Sequence, residues 1–257
     1  MSLDRTIVRL GSPVEIRVRF NVVSDLAPLP EDYRVFLHVL DSQGQLLWTE
    51  DHEPAVPTSR WEPDQTVEYE LMMKVPMYPY IGEAFIAVGL YSPTSGVRVA
   101  LLGDDFGNRA YRVSTLSLSP KPESSFLIYE EGWHQAEFDV DGRNDWRWTT
   151  EQAVLSFRNP MDDVRLTIEL QGRPEMFDRP QKLSLVIGEV TLRDVLLETS
   201  DPVYVFQDIS ASDLGDNDMV RLEIRVDQTF SPAAREGNTG DPRELGVRVF
   251  FTYIDLI

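Results

Sequence analysis

There is no cysteine anywhere in the 257 residues. That removes disulfides, thiolate metal ligands and cysteine nucleophiles together, and leaves the redox compartment open. Histidine is nearly as scarce, with only His38, His52 and His134, at spacings that make no metal-ligand pattern. Apolar runs are short. The longest lies around 85–91, far below the ~20 residues a membrane helix needs, so no membrane span is expected. Basic runs are missing as well. With 24 Lys and Arg against 43 Asp and Glu, the formal net charge is −19. That field repels phosphate backbones and anionic headgroups, so nucleic acid is excluded as an expected partner. The N-terminus has no apolar stretch of signal-peptide type. Met1-Ser2-Leu3 reads as a cloning remnant, and the chain as a piece of a longer one. Phosphate loops, dinucleotide fingerprints and Gly-x-Ser-x-Gly elbows are all absent, so no enzyme is expected.

What is present is alternation. Val14, Ile16, Val18 and Phe20 interleave with Glu15, Arg17 and Arg19, and a period of two puts the four apolar groups on one strand face. The same pattern fills 164–170 and 220–226. Further strands are expected at 33–40, 46–50, 67–75, 84–91, 97–101 and 111–118. The second half adds 126–129, 153–157, 183–187, 190–192, 203–207 and 246–257. Turn signals such as Asp41-Ser42-Gln43-Gly44 separate them, and no window of a dozen residues has a helical period. The expected fold is all-β: two tandem antiparallel β-sandwiches, immunoglobulin-like or jelly-roll-like. The Pro- and Ser-rich segment 119–124 reads as a linker between an N-terminal sandwich at 1–118 and a C-terminal one at 125–257.

Candidate functional residues concentrate at 132–150, which holds Trp133, Trp146 and Trp148. Sugars present apolar C–H faces and hydroxyls. Exposed Trp rings with carboxylates and guanidinium groups beside them offer both kinds of contact. The glycan-binding candidates are therefore Trp133, Trp146, Trp148, Glu137, Arg147 and Arg243. The plainer reading puts Trp133 and Trp148 in the core as caps on one sandwich end, since Trp is buried on average. Trp146, between Asp145 and Arg147, is the one expected to be exposed. On a strand Trp146 and Trp148 share a face and Arg147 takes the other. Arg243 is expected to pair with Glu137 or Asp241, and 227–242 to form a surface loop.

Asp139, Asp141, Asn144 and Asp145 space oxygen donors like the first half of a calcium loop, which would be a structural calcium site. The twelfth position is Thr150 rather than Glu, so an acidic hairpin turn is the plainer reading. A glycosidase pair would have to be drawn from Glu130, Glu131, Glu137 and Asp139, a cluster this acidic a composition yields by chance. In the N-terminal half, Tyr33, Val35, Leu37 and Val39 share one strand face and Phe36, His38 and Leu40 the other. His38 is expected as a hydrogen-bonded core histidine. Trp61 is expected as the anchor of a Pro-rich loop, with a ligand role for Trp61 and His52 as the alternative.

Two resemblances extend this reading. The run Tyr33–Asp41, then Asp51-His52-Glu53-Pro54, Pro57-Thr58-Ser59-Arg60-Trp61-Glu62-Pro63 and Val88-Gly89-Leu90-Tyr91, resembles β-sandwich modules at the soluble ends of bacterial membrane glycosyltransferases of the protein-mannosyltransferase type. It implies an extracytoplasmic accessory domain without chemistry of its own. Gly132-Trp133, Glu137, Arg147-Trp148-Thr149, Thr229-Phe230-Ser231-Pro232 and Asp241-Pro242-Arg243-Glu244-Leu245-Gly246-Val247 resemble an uncharacterised β-domain. That domain stands beside glycosyltransferase and methyltransferase domains of bacterial surface-polysaccharide loci, and it implies a jelly-roll-like sandwich. The expected function is a non-catalytic glycan-binding module of cell-surface polysaccharide or glycoconjugate assembly, in the cell envelope. The alternative is a structural domain that binds a partner protein.

Overall fold

The computed structural model describes residues 1–140, 144–235 and 240–257, apart from the side chains of Ser124 and Arg235. The chain is all-β and divides into two compact units, Met1–Lys121 and Pro122–Ile257. Among the described residues no helix is long and apolar enough to cross a membrane.

The N-terminal unit contains β1 (Ser2–Leu3), β2 (Ile7–Arg9), β3 (Pro13–Asn21), β4 (Arg34–Asp41), β5 (Leu46–Thr49), β6 (Thr66–Lys74), β7 (Gly82–Tyr91), β8 (Asp105–Gly107) and β9 (Ala110–Ser119). One sheet runs β1-β3-β6 and the other β2-β9-β7-β4-β5, with β8 added on β9. Alternation predicts the core well. Val14, Ile16 and Val18 of β3 face Val35, Leu37 and Val39 of β4 and Ile86, Val88 and Leu90 of β7 across one buried cluster. Trp61 is the expected anchor: it packs on this cluster, lies tilted against Phe20 with ring centres 5.2 Å apart, and donates its Nε1–H to the Val56 carbonyl at 2.9 Å.

Three expectations are corrected. The sandwich is not wholly antiparallel, because β2 pairs parallel with β9. Residues 97–101 form no strand; only Arg98 makes an isolated bridge, to Tyr91, and its guanidinium lies over the Phe36 ring on the outer face. His38 is half-buried against the Phe36 ring at 4.7 Å and has no hydrogen-bond partner among the described residues. The reason is that β4 has a second apolar face. Phe36, Leu40, Phe85 and Ala87 form a separate buried cluster on the outside of the larger sheet, and His38 belongs to that side.

His52 is the histidine that is tied down. Its Nδ1 lies 2.8 Å from the Glu50 carbonyl and its Nε2 lies 2.7 Å from the Tyr69 hydroxyl, at the sandwich edge. Burial lowers its pKa and raises that of the adjacent Glu50 carboxyl to about 7 from 4.5. A carboxyl with a raised folded pKa stabilises the fold below its unfolded pKa, and that stability is lost as pH climbs through the folded value. Glu50 is half-buried, so solvent screening reduces the loss to about 1–2 kcal/mol. Glu50→Gln is expected to melt above the parent protein at about pH 7.5 and together with it at about pH 4.5. A difference that is the same at both pH values would contradict this.

The C-terminal unit contains β10 (Leu127–Tyr129), β11 (Glu137–Phe138), β12 (Asp145–Trp148), β13 (Gln152–Arg158), β14 (Val164–Gln171), β15 (Gln181–Ile187), β16 (Val190–Leu197), β17 (Val203–Ile209), α1 (Ala211–Leu214), β18 (Met219–Val226), α2 (Pro232–Arg235) and β19 (Arg248–Leu256). Two five-stranded antiparallel sheets, β10-β13-β18-β15-β16 and β11-β12-β19-β14-β17, face each other in a jelly-roll-like sandwich. Leu155, Phe157, Leu183, Leu185, Leu222 and Ile224 from the first meet Val164, Leu166, Ile168, Leu170, Val249 and Ile254 from the second. The stretch expected as a plain loop, 227–242, contains α2 and is pinned by Phe230, which bridges to Leu245.

Candidate functional site

The site grows from the end of β12. Trp148 pairs with Arg248, and Arg147 pairs with Val249. Val249 faces the core, so the period of two sends Trp146 and Trp148 to the outer face of the sheet and Arg147 to the inner side. On the partner hairpin strand, Glu137 stands opposite Trp146 and so shares its face. One irregularity completes the arrangement. The β14–β19 register slips between Glu169 and Leu170, leaving Phe250 as the extra residue of a bulge. Its ring lies 6.2 Å from that of Trp146.

The polar contacts lock this group. Trp146 donates its Nε1–H to Glu137 Oε2 at 3.0 Å. The other Glu137 oxygen, Oε1, meets Arg243 Nη2 at 2.6 Å. Arg243 also forks onto Asp241, with Nε–Oδ2 at 2.8 Å and Nη2–Oδ2 at 2.6 Å. Both carboxylates proposed as partners of Arg243 are therefore used. Those hydrogen bonds hold Asp241 below the usual carboxylate range and raise the Arg243 guanidinium further. All three groups keep about a third of their side chains exposed: 34% for Arg243, 31% for Glu137 and 32% for Asp241. Arg248 lies between the two indoles, its guanidinium carbon 4.6 Å from the Trp146 ring centre and 4.8 Å from that of Trp148. Burial lowers the Arg248 pKa, with the Arg173 charge adding to the effect and Glu137 opposing it.

The six predicted binding residues thus separate. Glu137, Trp146, Trp148 and Arg243 come together. Trp148 is only 4% exposed and packs edge-on against Phe230 at 5.8 Å, so it supports the site from beneath. Trp146, expected to be the exposed one, is half-buried like Trp133, because Glu137, Arg248 and Phe250 pack against its ring. Arg147 lies over the Tyr129 ring at 4.8 Å, and its Nη1 donates to the His134 carbonyl at 3.3 Å, away from the cluster. Trp133 packs on the core, donates Nε1–H to the Val154 carbonyl at 2.8 Å, and meets Tyr129 edge-on at 4.9 Å. Arg248 and Phe250 were missed. Only strand register and the bulge reveal them, and neither leaves a mark in the sequence pattern.

Of the proposed calcium ligands, Asp141 lies outside the described residues. Asp139 Oδ2 accepts both the backbone N–H of Asn144 at 3.2 Å and its side-chain amide at 2.7 Å. Among the described residues no group of three His, Asp or Glu side chains is placed to hold a metal ion. Glu130 and Glu131 both pair with Arg221, Glu130 at 2.9 Å.

No protein-family model matches the sequence, and no curated protein matches it. Among solved structures, the C-terminal CBM6 of LamC, a marine laminarinase from Zobellia galactanivorans, aligns at 11% identity and TM-score 0.30. The alignment covers 51% of this chain and 98% of that one. SGBP-B from the mixed-linkage glucan utilization locus of Bacteroides ovatus, in complex with a mixed-linkage heptasaccharide, aligns at 12% identity and TM-score 0.31. Here the coverage is 97% of this chain and 51% of that one, so the chain spans about half its length. The CBM22-1–CBM22-2 tandem of Paenibacillus barcinonensis Xyn10C aligns at 11% identity and TM-score 0.29, over 96% and 79%. Similarity this low assigns neither a ligand nor a reaction to this chain.

Proposed function

We propose that the C-terminal sandwich is a non-catalytic glycan-binding module whose contact surface centres on Trp146. The observation that carries this is the locked set around that ring. Glu137 fixes the indole edge, Arg248 takes one face, and Arg243 and Asp241 stand beside it, each about a third exposed. A fixed aromatic surface next to immobilised carboxylate and guanidinium groups suits a sugar ring, which needs a stacking partner and hydroxyl partners together. Fixing these groups in advance lowers the ordering cost of binding. The resemblances to glycosyltransferase-associated modules support a place in bacterial surface-polysaccharide or glycoconjugate assembly, outside the cytoplasm.

A second reading, a protein-interaction domain, is favoured by the exposed apolar side chains beside the same hairpin, Phe138 at 63% and Val140 at 105%. Affinity electrophoresis through gels containing bacterial surface polysaccharides separates the two. Retardation that disappears in Trp146→Ala supports glycan binding. Retardation equal in both proteins would place the contact elsewhere. Trp146 is half-buried, so its removal is expected to cost about 1–2 kcal/mol, less than a core Trp, and leave the module folded.

A further inference from the structure

Three arginines lie together at the outer face of the larger sheet in the N-terminal unit. Arg98, Arg109 and Arg112 make no ion pair with a carboxylate among the described residues, in a protein of net charge −19. They are fixed by other means. Arg98 lies over the Phe36 ring at 4.1 Å and donates to the Asn108 carbonyl at 2.9 Å. Arg109 donates to the Arg98 carbonyl. Arg112 lies over Phe85 at 4.0 Å and 5.5 Å from Phe106. Its side chain makes no hydrogen bond among the described residues, so its N–H edges are unspent.

Glycines make these platforms possible. A Cβ on Gly89 would stand 2.4 Å from the Phe36 ring, and one on Gly44 2.7 Å from Phe106. The β4–β7–β9 register then sets His38, Ala87 and Arg112 in one row across the face. Arg112 borders a cavity of about 370 Å³ whose lining includes Ser42, Phe85, Thr115 and Ser117, with Glu83 as its carboxylate.

We propose that this cavity binds a carboxylate-bearing sugar, with the acid group on Arg112 and the hydroxyls on Ser42, Thr115 and Ser117, while the buried Phe85 ring serves as the seat of the guanidinium. A planar guanidinium seated over an aromatic ring can offer its N–H edge to a carboxylate in two-point geometry, which a mobile lysine cannot do. The flanking hydroxyl groups favour a sugar acid over a simple anion. Glu83 opposes the ligand charge and limits affinity. The site is independent of the glycan reading of the C-terminal sandwich.

Calorimetric titration of the whole chain tests it, with oligogalacturonate, a neutral galacto-oligosaccharide of the same length, and sodium sulfate as probes. Oligogalacturonate is expected to bind, to weaken at least about tenfold in Arg112→Gln, and to be unaffected in Trp146→Ala. Glu83→Gln, which leaves the guanidinium stack in place, is expected to tighten it several-fold. The proposal is overturned if oligogalacturonate does not bind, if the neutral oligosaccharide or sulfate binds equally well, or if neither variant alters the affinity. Loss of binding in Trp146→Ala but not in Arg112→Gln would move the ligand to the C-terminal sandwich and overturn it too.

Discussion

Gly132→Ala is expected to unfold much of the C-terminal unit's stability with a single methyl group. Gly132 has φ +80°, in the left-handed region that costs a residue with a Cβ about 1–2 kcal/mol. The larger cost is spatial. A Cβ there would stand 1.9 Å from the Gln152 carbonyl oxygen and 2.7 Å from the Ala153 Cα, both backbone atoms. Ala153 is fully buried in β13, so that strand cannot move aside without opening the core. The bonds next to this point are those that position the Trp segment: Thr150 donates its N–H to the Gly132 carbonyl at 2.8 Å, and Trp133 bridges to Thr149. A loss of about 4 kcal/mol or more is expected, a fall in Tm of more than about 10 °C. Gly188→Ala is the control. It has φ +59° but nothing within 4 Å of the added methyl, so it should lose only the conformational cost, about 1 kcal/mol. Equal effects at the two positions would show that close approach does not decide the matter.

Trp148→Ala should be nearly as damaging, for a different reason. The indole is almost wholly enclosed, between Arg248 on one side and Phe230 on the other. Phe230 in turn meets Phe177 at 6.1 Å, so the ring anchors a small apolar cluster on the outside of the sheet, separate from the main core. Emptying that space should cost about 3–5 kcal/mol in urea denaturation followed by far-UV circular dichroism. Trp148→Phe should recover a large part of it. A loss below about 1 kcal/mol would mean that the ring is not holding the 227–245 segment down.

These two positions show what the sequence carries and what it does not. The strands with unbroken alternation, β3, β14 and β18, are legible because each has one face in the core. The 190–192 expectation stops short of β16 (Val190–Leu197) for a physical reason. The β15–β16 register slips between Leu185 and Val186, and the period of two changes phase where the reading ends. Strands of two to four residues, such as β1, β8, β11 and β12, are too short to show a period. Within the site, Trp146, Glu137 and the pairing of Arg243 follow from side-chain chemistry. The seat of Arg248 between two indoles does not, nor does the approach of Phe250 to Trp146, because both depend on which strands become neighbours. The arginine group at the outer face of the N-terminal unit was hidden in the same way: Arg98, Arg109 and Arg112 look like scattered single charges until the sheet gathers them.

The Trp146 surface is expected to bind glycan. Intrinsic tryptophan fluorescence, titrated with a panel of bacterial surface polysaccharides, tests it most directly. At least one polysaccharide should give a saturable shift in the parent protein, and the same titration of Trp146→Ala should be flat while its circular dichroism remains that of a folded β protein. No shift with any polysaccharide, or an unchanged shift in Trp146→Ala, would contradict it.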